Sequence, residues 1–405
     1  MTLKGTRPIN KESKLHSAFK GFLPLYVFAH FAHHVMTAMP QPLAPFIQRE
    51  FNLSYTRITL VQSAFAWSYG VAQVPAGFLA DRIGQKTLLI IGISGMAVGG
   101  ILVGLSQSYM MLLVFMVLMG ILGGGYHPAA APLVSNAVPL SLRGRALGFH
   151  EIGASASFLV APLIAASIAS ASEWRNAYIW LAIPTFLIGL AFLVYMKRPV
   201  RREEAIEEHA DGSDEVPDRT GRVRRLVAFL VLSIGTGGLV NSVTSLITVY
   251  AVNERGATET VAATLIICLT SAGLWVSPIA GYLSDRIGQV RLVIGASLLS
   301  AVVIWGINYA PYFWGLAAMM ILLGIAQFIR MPVSESFIMG HTTEKNRSTI
   351  YGVYYFAMTE TGAVFAPLMG LIVDNYGFEL GYSLVPVAIV VVTLGTAFFL
   401  RGGNR

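Results

Sequence analysis

The stretch GFLADRIGQK at 77–86 returns as GYLSDRIGQV at 281–290, an offset of 204 positions. Pro128 and Pro332, Arg143 and Arg347, and Gly148 and Gly352 keep the same offset of 204. One register held over such distant markers means that a unit of about 200 residues is written twice, each copy needing the other. The repeat predicts two similar halves and excludes any fold that treats the chain as one continuous core.

What each copy is made of follows from its solvent. Of the 405 residues, 55% are hydrophobic and only 12% are charged. Soluble domains carry about 25% charged residues. So much apolar surface cannot be hidden in a compact core, and lipid is its natural medium. A span needs roughly 20 mostly apolar residues. Twelve such segments are readable, at 20–47, 57–80, 87–106, 109–138, 145–170, 175–196, 226–252, 259–283, 291–309, 312–340, 348–373 and 379–400. The expected fold is an all-α membrane protein with twelve transmembrane helices in two pseudo-symmetric six-helix bundles. Residues 1–196 form the first half and 226–405 the second. Residues 197–225 carry dense charge of both signs and few apolar side chains. Such a segment cannot bury a core and reads as a linker.

Charge sets the orientation. Of 28 Lys and Arg residues, 23 fall on one side if both termini are cytoplasmic. Arg49, Arg57, Arg175 and Arg255 lie on the other side, and Arg330 lies inside a span. This asymmetry is the positive-inside signal of a plasma-membrane protein. It explains the net charge of +7 without nucleic acid. The basic N-terminus leads into a long apolar segment, read as a first span and not a removed signal peptide. Cys268 is the one cysteine, which excludes a disulfide within the chain and a cysteine-based metal cluster.

The repeated loop joins spans 2 and 3 of each half. Gly77 and Asp81 share a helix face. Glycine there would permit close approach of a neighbouring helix, and Asp81 could meet the start of span 11 at Ser348. Gly84 allows a tight turn. A gating role for Gly77, Asp81, Arg82, Gly281, Asp285 and Arg286 competes with a plain basic turn.

The G-x-x-x-D-R-x-G loop in both halves, the twelve spans and the central linker together resemble the major facilitator superfamily. The resemblance covers nearly the whole chain. The second copy departs from the motif by ending in Gln289 and Val290, with its base displaced to Arg291. The resemblance implies the fold of that family and a secondary transporter working by alternating access about a central site. GGGYHPAAAP at 123–132 is similar, more loosely, to the fosmidomycin-resistance type of efflux carrier. The span 4 arginine of many drug–proton antiporters is missing.

Ionisable groups inside a span are functional candidates by default. Glu151, Glu335 and Glu360 are the candidate proton-coupling acids. Arg330 should pair with Glu360, with Glu151 or with an anionic substrate; a structural ion pair between spans 10 and 11 is the bland alternative. The repeat sets Tyr126 at the position of Arg330, which makes Tyr126 and His127 its counterparts. His30 and His34 lie one turn apart on one face, with Thr37 and Gln41 continuing it, and His33 turns partly away. Two histidines fall short of a usual metal site, so no metal and no cofactor is expected. Span 7 adds a polar stripe of Asn241, Thr244, Ser245 and Thr248, which either contacts substrate or joins helices. The substrate contacts are therefore expected at His30, His34, Tyr126, His127, Asn241 and Arg330. Pro128 and Pro332 should open spans 4 and 10 near Gly124 and Phe328.

The expected function is secondary active transport of a small organic solute, most simply proton-coupled efflux by a monomer. The alternative is proton symport of a small organic anion. A non-transporting sensor on this scaffold would need a sizeable signalling domain. No nucleophile–base constellation or nucleotide-binding loop speaks for an enzyme.

Overall fold

The computed structural model describes residues 23–136, 143–195, 219–311, 314–341 and 344–400, and every regular element among them is helical. We number them α1 Leu23–Thr37, α2 Pro40–Phe51, α3 Tyr55–Ile83, α4 Gln85–Gly104, α5 Tyr109–Gly123, α6 Tyr126–Asn136 and α7 Arg143–Ala171. Then follow α8 Trp174–Tyr195, α9 Arg219–Thr244, α10 Ile247–Asn253, α11 Glu259–Ile287, α12 Gln289–Ile307, α13 Trp314–His341 and α14 Glu344–Leu400. Helices suit lipid because each satisfies its own backbone hydrogen bonds.

Nine stretches among the described residues are long and apolar enough to cross a bilayer by length and composition alone. One of them, Phe356–Leu400, is two spans folded at Gly377 (φ 80°, ψ 168°). The first two expected spans are outside those nine. The first is split into α1 and α2, of 15 and 12 residues, around Ala38 and Met39. The second, α3, carries Gln62, Ser63, Ser68 and Gln73 among its apolar residues. With these added and α14 counted twice, the chain crosses twelve times. Apolar side chains such as Phe28, Phe78, Val194, Val302 and Phe398 are exposed on the outer wall, as a lipid-facing surface requires.

The ends of the helices follow from capping chemistry. Ser54, Ser108 and Thr258 each accept a hydrogen bond from the backbone N–H three residues on, and so start α3, α5 and α11. At the opposite end, α3 and α4 are joined by Gly84 alone and α11 and α12 by Gly288 alone, with φ of 85° and 92°. A one-residue reversal needs positive φ, which glycine reaches without strain. The two copies of the repeat thus build the same turn. Among the described residues no atom lies within 4 Å of a Cβ built on Gly77, and the side chains around Ser348 expected to approach it lie outside those described. Close approach occurs at Gly120 instead, where a Cβ would lie 2.6 Å from the carbonyl oxygen of Phe65 and 2.8 Å from the nitrogen of Tyr69.

The prolines differ as well. Span 4 breaks at Gly124 and Gly125, ahead of Pro128 as anticipated, whereas α13 runs unbroken through Pro332. Three consecutive glycines at 123–125 give span 4 little reason to stay helical, whereas the turn before Pro332, Phe328 to Met331, contains no glycine. α9 begins at Arg219, seven residues inside the segment expected as linker; residues 196–218 lie outside the described ones.

The first six and last six spans meet along a seam that is tied at the end of the bundle opposite Gly84 and Gly288. Asp374 accepts from the backbone N–H groups of Tyr55 (2.7 Å) and Thr56 (2.9 Å) and from the Thr56 hydroxyl (2.5 Å). Ser170 and Thr260 share a hydrogen bond of 3.0 Å. These two ties are one tie written twice, since Thr56 and Thr260, and Ser170 and Asp374, are each 204 positions apart. Arg49 pairs with Glu259 beside them. Deeper in, Gln41 donates to the carbonyl of Thr244 (2.9 Å) and accepts through its own carbonyl from Thr248 (2.9 Å), and Gln62 donates to the carbonyl of Ser245 (3.1 Å). Of the stripe residues of span 7, Thr248 joins helices through its side chain, whereas Thr244 and Ser245 do so through backbone carbonyls while their hydroxyls bond back to Asn241 and Ser242 of the same span.

Candidate functional site

Aromatic rings from four helices meet inside the first six spans. His150 (α7) stacks on His30 (α1) with centroids 3.9 Å apart, and His33 (α1) stacks on Tyr126 (α6) at 4.2 Å. His30 and Tyr126 are near-parallel at 5.4 Å, which makes one column of His150, His30, Tyr126 and His33. His34 and His127 meet the column edge-on. The spacing of His30 and His34 on one face of α1 delivers both rings, and the break at Gly124 and Gly125 turns His127 toward them. Gly153 of α7 lies against α1, where a Cβ would lie 3.0 Å from the nitrogen of Phe31, so α7 comes close enough for His150 to stack.

Hydrogen bonds fix the rings. His30 Nδ1 donates to the carbonyl of His150 (2.8 Å), Tyr126 bonds to His150 Nε2 (3.0 Å), and His33 Nε2 bonds to the Tyr69 hydroxyl of α3 (2.9 Å). His34 Nδ1 meets Thr37 Oγ1 at 3.0 Å, one turn along the same face. Glu151 is mostly exposed, with Oε1 3.7 Å from His150 Nδ1 and 4.0 Å from His30 Nδ1. His33, His150 and Tyr69 belong to the cluster as fully as the anticipated residues do. His33 and His150 were visible as intramembrane histidines, while Tyr69 carried no signal beyond its place in a span.

Arg330 stands at the repeat position of Tyr126 but in different company. It is buried at 5% exposure, and Nη1 donates to Thr236 Oγ1 at 3.2 Å. Among the described residues it has no carboxylate partner, and its Nε has no hydrogen-bond partner. The anticipated pairing with Glu360 or Glu151 is not formed. Arg330 projects toward α9, where Gly237 leaves room: a Cβ there would lie 3.0 Å from Nη2. Position 237 is the repeat mate of His33, and position 354, a tyrosine, is that of His150. The two halves thus hold equivalent space. One fills it with rings, the other with a guanidinium.

Glu360 on α14 points the other way, toward α3. It presses on Gly70, whose added Cβ would overlap Oε1, and both carboxylate oxygens are buried without a hydrogen-bond partner among the described residues. It therefore lies on the seam between the two sets of spans. Asn241 is near the same helix, with Oδ1 2.8 Å from a Cβ built on Gly362. Arg82 and Arg286 are exposed, Arg286 lying over the ring of Tyr282 at 4.6 Å. The side chains of Asp81, Asp285 and Glu335, and residues 281 and 348 where contacts were anticipated, lie outside those described. Two constellations thus arise: a histidine–tyrosine column in one half, and in the other a buried cation and a separate seam carboxylate.

A bundle of this topology, with buried ionisable groups that lack a charged partner among the described residues, has the architecture of a polytopic membrane carrier. The sequence profile of the Major Facilitator Superfamily matches residues 26–274 and 230–404. The chain belongs to that superfamily: it is a multi-pass membrane protein and a secondary transporter of small molecules, not an enzyme. Over 351 residues it is 28% identical to the multidrug resistance protein MdtG of Proteus mirabilis (strain HI4320), covering 83% of this chain and 82% of that one. MdtG of Enterobacter lignolyticus (strain SCF1) is 26% identical over 333 residues, covering 80% and 78%. Among solved structures, a bacterial homolog of the human lysosomal transporter Spinster, in an inward-facing and unoccupied conformation, matches with a TM-score of 0.72 and 16% identity, covering 98% of this chain and 97% of that one. A POT family transporter in complex with 5-aminolevulinic acid matches with a TM-score of 0.78 and 13% identity, covering 93% and 95%.

Proposed function

We propose that the protein is a proton-coupled exporter of small organic solutes in the plasma membrane of a prokaryote, with both termini cytoplasmic. The similarity to the MdtG multidrug resistance proteins supports export, and the basic-residue asymmetry supports the orientation. In that orientation the ties at Asp374 and Ser170 hold the outer side together, which supports reading this conformation as one closed to the outside.

Glu360 carries the coupling. A carboxylate buried without a partner is expensive, and this one lies on the seam that must part when the outer side opens. Parting would bring it water, and closing would remove it, so rocking and protonation are linked through one group. Arg330 supplies a second buried charge for solute to meet. Solute entering from the cytoplasm contacts Arg330 and Asn241 on one side and His34, Tyr126 and His127 on the other, and the Gly84 and Gly288 loops act as hinges at the cytoplasmic edge.

The test uses everted membrane vesicles with an acidic interior and radiolabelled fosmidomycin as probe, an anion suited to Arg330. Accumulation should follow the pH gradient, collapse with a protonophore, and lose its gradient dependence in Glu360→Gln while downhill exchange persists. The second reading, proton symport of an organic anion, draws on the lack of a carboxylate partner for Arg330. Uptake into right-side-out vesicles driven by inward protons would establish it and exclude efflux.

A further inference from the structure

The histidine cluster holds lone pairs that proton coupling through Glu360 does not use. His30, His34 and His127 each bring one ring nitrogen within 4.8 Å of those of the other two. Which nitrogens are open can be worked out from the hydrogen bonds. His30 Nδ1 faces the carbonyl oxygen of His150, and a carbonyl only accepts, so the ring carries its proton on Nδ1 and its lone pair on Nε2. Thr37 spends its hydroxyl proton on the carbonyl of His34 (3.1 Å), so its oxygen accepts from His34 Nδ1 (3.0 Å). His34 then also keeps its lone pair on Nε2. Neither open nitrogen needs any change of tautomer to become a ligand.

Two further observations bear on that lone pair. His30 is fully buried, and its Nε2 has no hydrogen-bond partner among the described residues. A buried acceptor left unsatisfied carries a desolvation cost, which a cation at the site would offset. Behind His30, the carbonyl of His150 takes the Nδ1 proton and Glu151 stands 4.0 Å away. Acceptors placed on the far nitrogen orient a metal-ligating imidazole and raise its basicity. Thr37 does the same for His34.

The geometry points to a site for one divalent late first-row transition-metal ion, held by Nε2 of His30, Nε2 of His34 and a ring nitrogen of His127. Imidazole nitrogens suit Zn²⁺, Ni²⁺ and Co²⁺. Three imidazoles are enough for a tetrahedral ion that keeps its fourth position open. With bonds of about 2.0–2.1 Å the three nitrogens must draw together by roughly 1 Å, a small adjustment for rings on α1 and on the short helix α6, which follows the Gly124–Gly125 break. His33 is not part of this group of three nitrogens: its Nε2 is bonded to Tyr69, and its Nδ1 is buried without a hydrogen-bond partner among the described residues. The proposal is independent of the direction or coupling of transport.

The experiment is a titration of tag-free, detergent-purified protein with Co²⁺, read by its visible d–d bands, and with Zn²⁺, read by calorimetry. One equivalent should bind with the spectrum of tetrahedral Co²⁺. His127→Gln should abolish that spectrum, and His341→Gln, on α13, should leave it unchanged. Thr37→Val keeps the branched shape but removes the acceptor behind His34, and should weaken Zn²⁺ about 10- to 100-fold. X-ray absorption on Zn²⁺-loaded wild-type protein, which depends on no variant folding, should count three imidazoles. A wild-type protein that binds neither ion, fewer than three imidazoles in the absorption fit, or unchanged affinity in His127→Gln would overturn the site.

Discussion

Asp374→Asn tests the seam most directly. The carboxylate accepts three hydrogen bonds from the first turn of α3: the backbone N–H groups of Tyr55 and Thr56 and the Thr56 hydroxyl. Two of these are the unsatisfied donors that every helix N-terminus presents, and the charge also meets the positive end of the helix dipole, worth about 0.3–1 kcal/mol at an exposed site. Asparagine keeps the shape but loses the charge, and its amide turns a donor toward at least one donor. Hydrogen bonds to charged groups contribute about 1.5–3 kcal/mol. Asp374 is exposed, so water replaces much of this, and we set the whole loss at about 1–2 kcal/mol. Because the tie is made between the two sets of spans, the loss falls on the equilibrium between closed and open seams, shifting it about 5- to 30-fold. Double electron–electron resonance reads this shift, with spin labels at Gln107 and Tyr309 in a Cys268→Ser background. A second, longer distance should grow in Asp374→Asn. A distribution unchanged within about twofold would mean that the cap carries no share of the closed state, and the reasoning would fail.

Arg330→Ala should abolish transport with thermal stability kept within a few degrees, because it removes an ion with no carboxylate partner among the described residues; normal flux would remove Arg330 from the site. Gly120→Ala should destabilise by about 1–3 kcal/mol, since its Cβ would meet backbone atoms of Phe65 and Tyr69 that cannot swing aside; an unchanged midpoint in a thermal-shift assay would show that α3 and α5 can part freely. At the tied end, beyond the first span, Glu50 accepts from Trp174 Nε1 (2.6 Å) and pairs with Arg175 (2.6 Å). Burial pushes Glu50 upward, but the hydrogen bonds from Arg175 and Trp174 outweigh it and hold the carboxyl below the usual glutamate range. A depressed acid stabilises above its unfolded pKa and loses that contribution as pH falls through the folded one. The Trp174 fluorescence, isolated by subtracting Trp174→Phe, should therefore hold steady through the ordinary glutamate range and change only below it; a change within or above that range would contradict the pairing.

How far the sequence reached can be followed residue by residue. The 204-residue offset locates more than the loops, since it relates Thr56 to Thr260 and Ser170 to Asp374. Both seam ties were legible there in principle, but nothing local distinguishes Asp374 from any acid at a helix end. Gly77 is a different case. A motif glycine invites a packing reading, yet among the described residues no atom comes within 4 Å of a Cβ built on it.

Spacing along a helix is local, so one chain segment suffices to place His30, His34 and Thr37 on one face, to reverse the chain at Gly84 and Gly288, and to tell lipid-facing segments from the charged linker. Partners across helices are not local. That Arg330 reaches Thr236 and Gly237 while Glu360 reaches Gly70, and that His127 joins two histidines from α1, depends on how distant helices rotate and pack. Pattern decides what a helix offers; packing alone decides what receives it, which is why His30, His34 and His127 could be named from sequence while the approach of their ring nitrogens to one another could not.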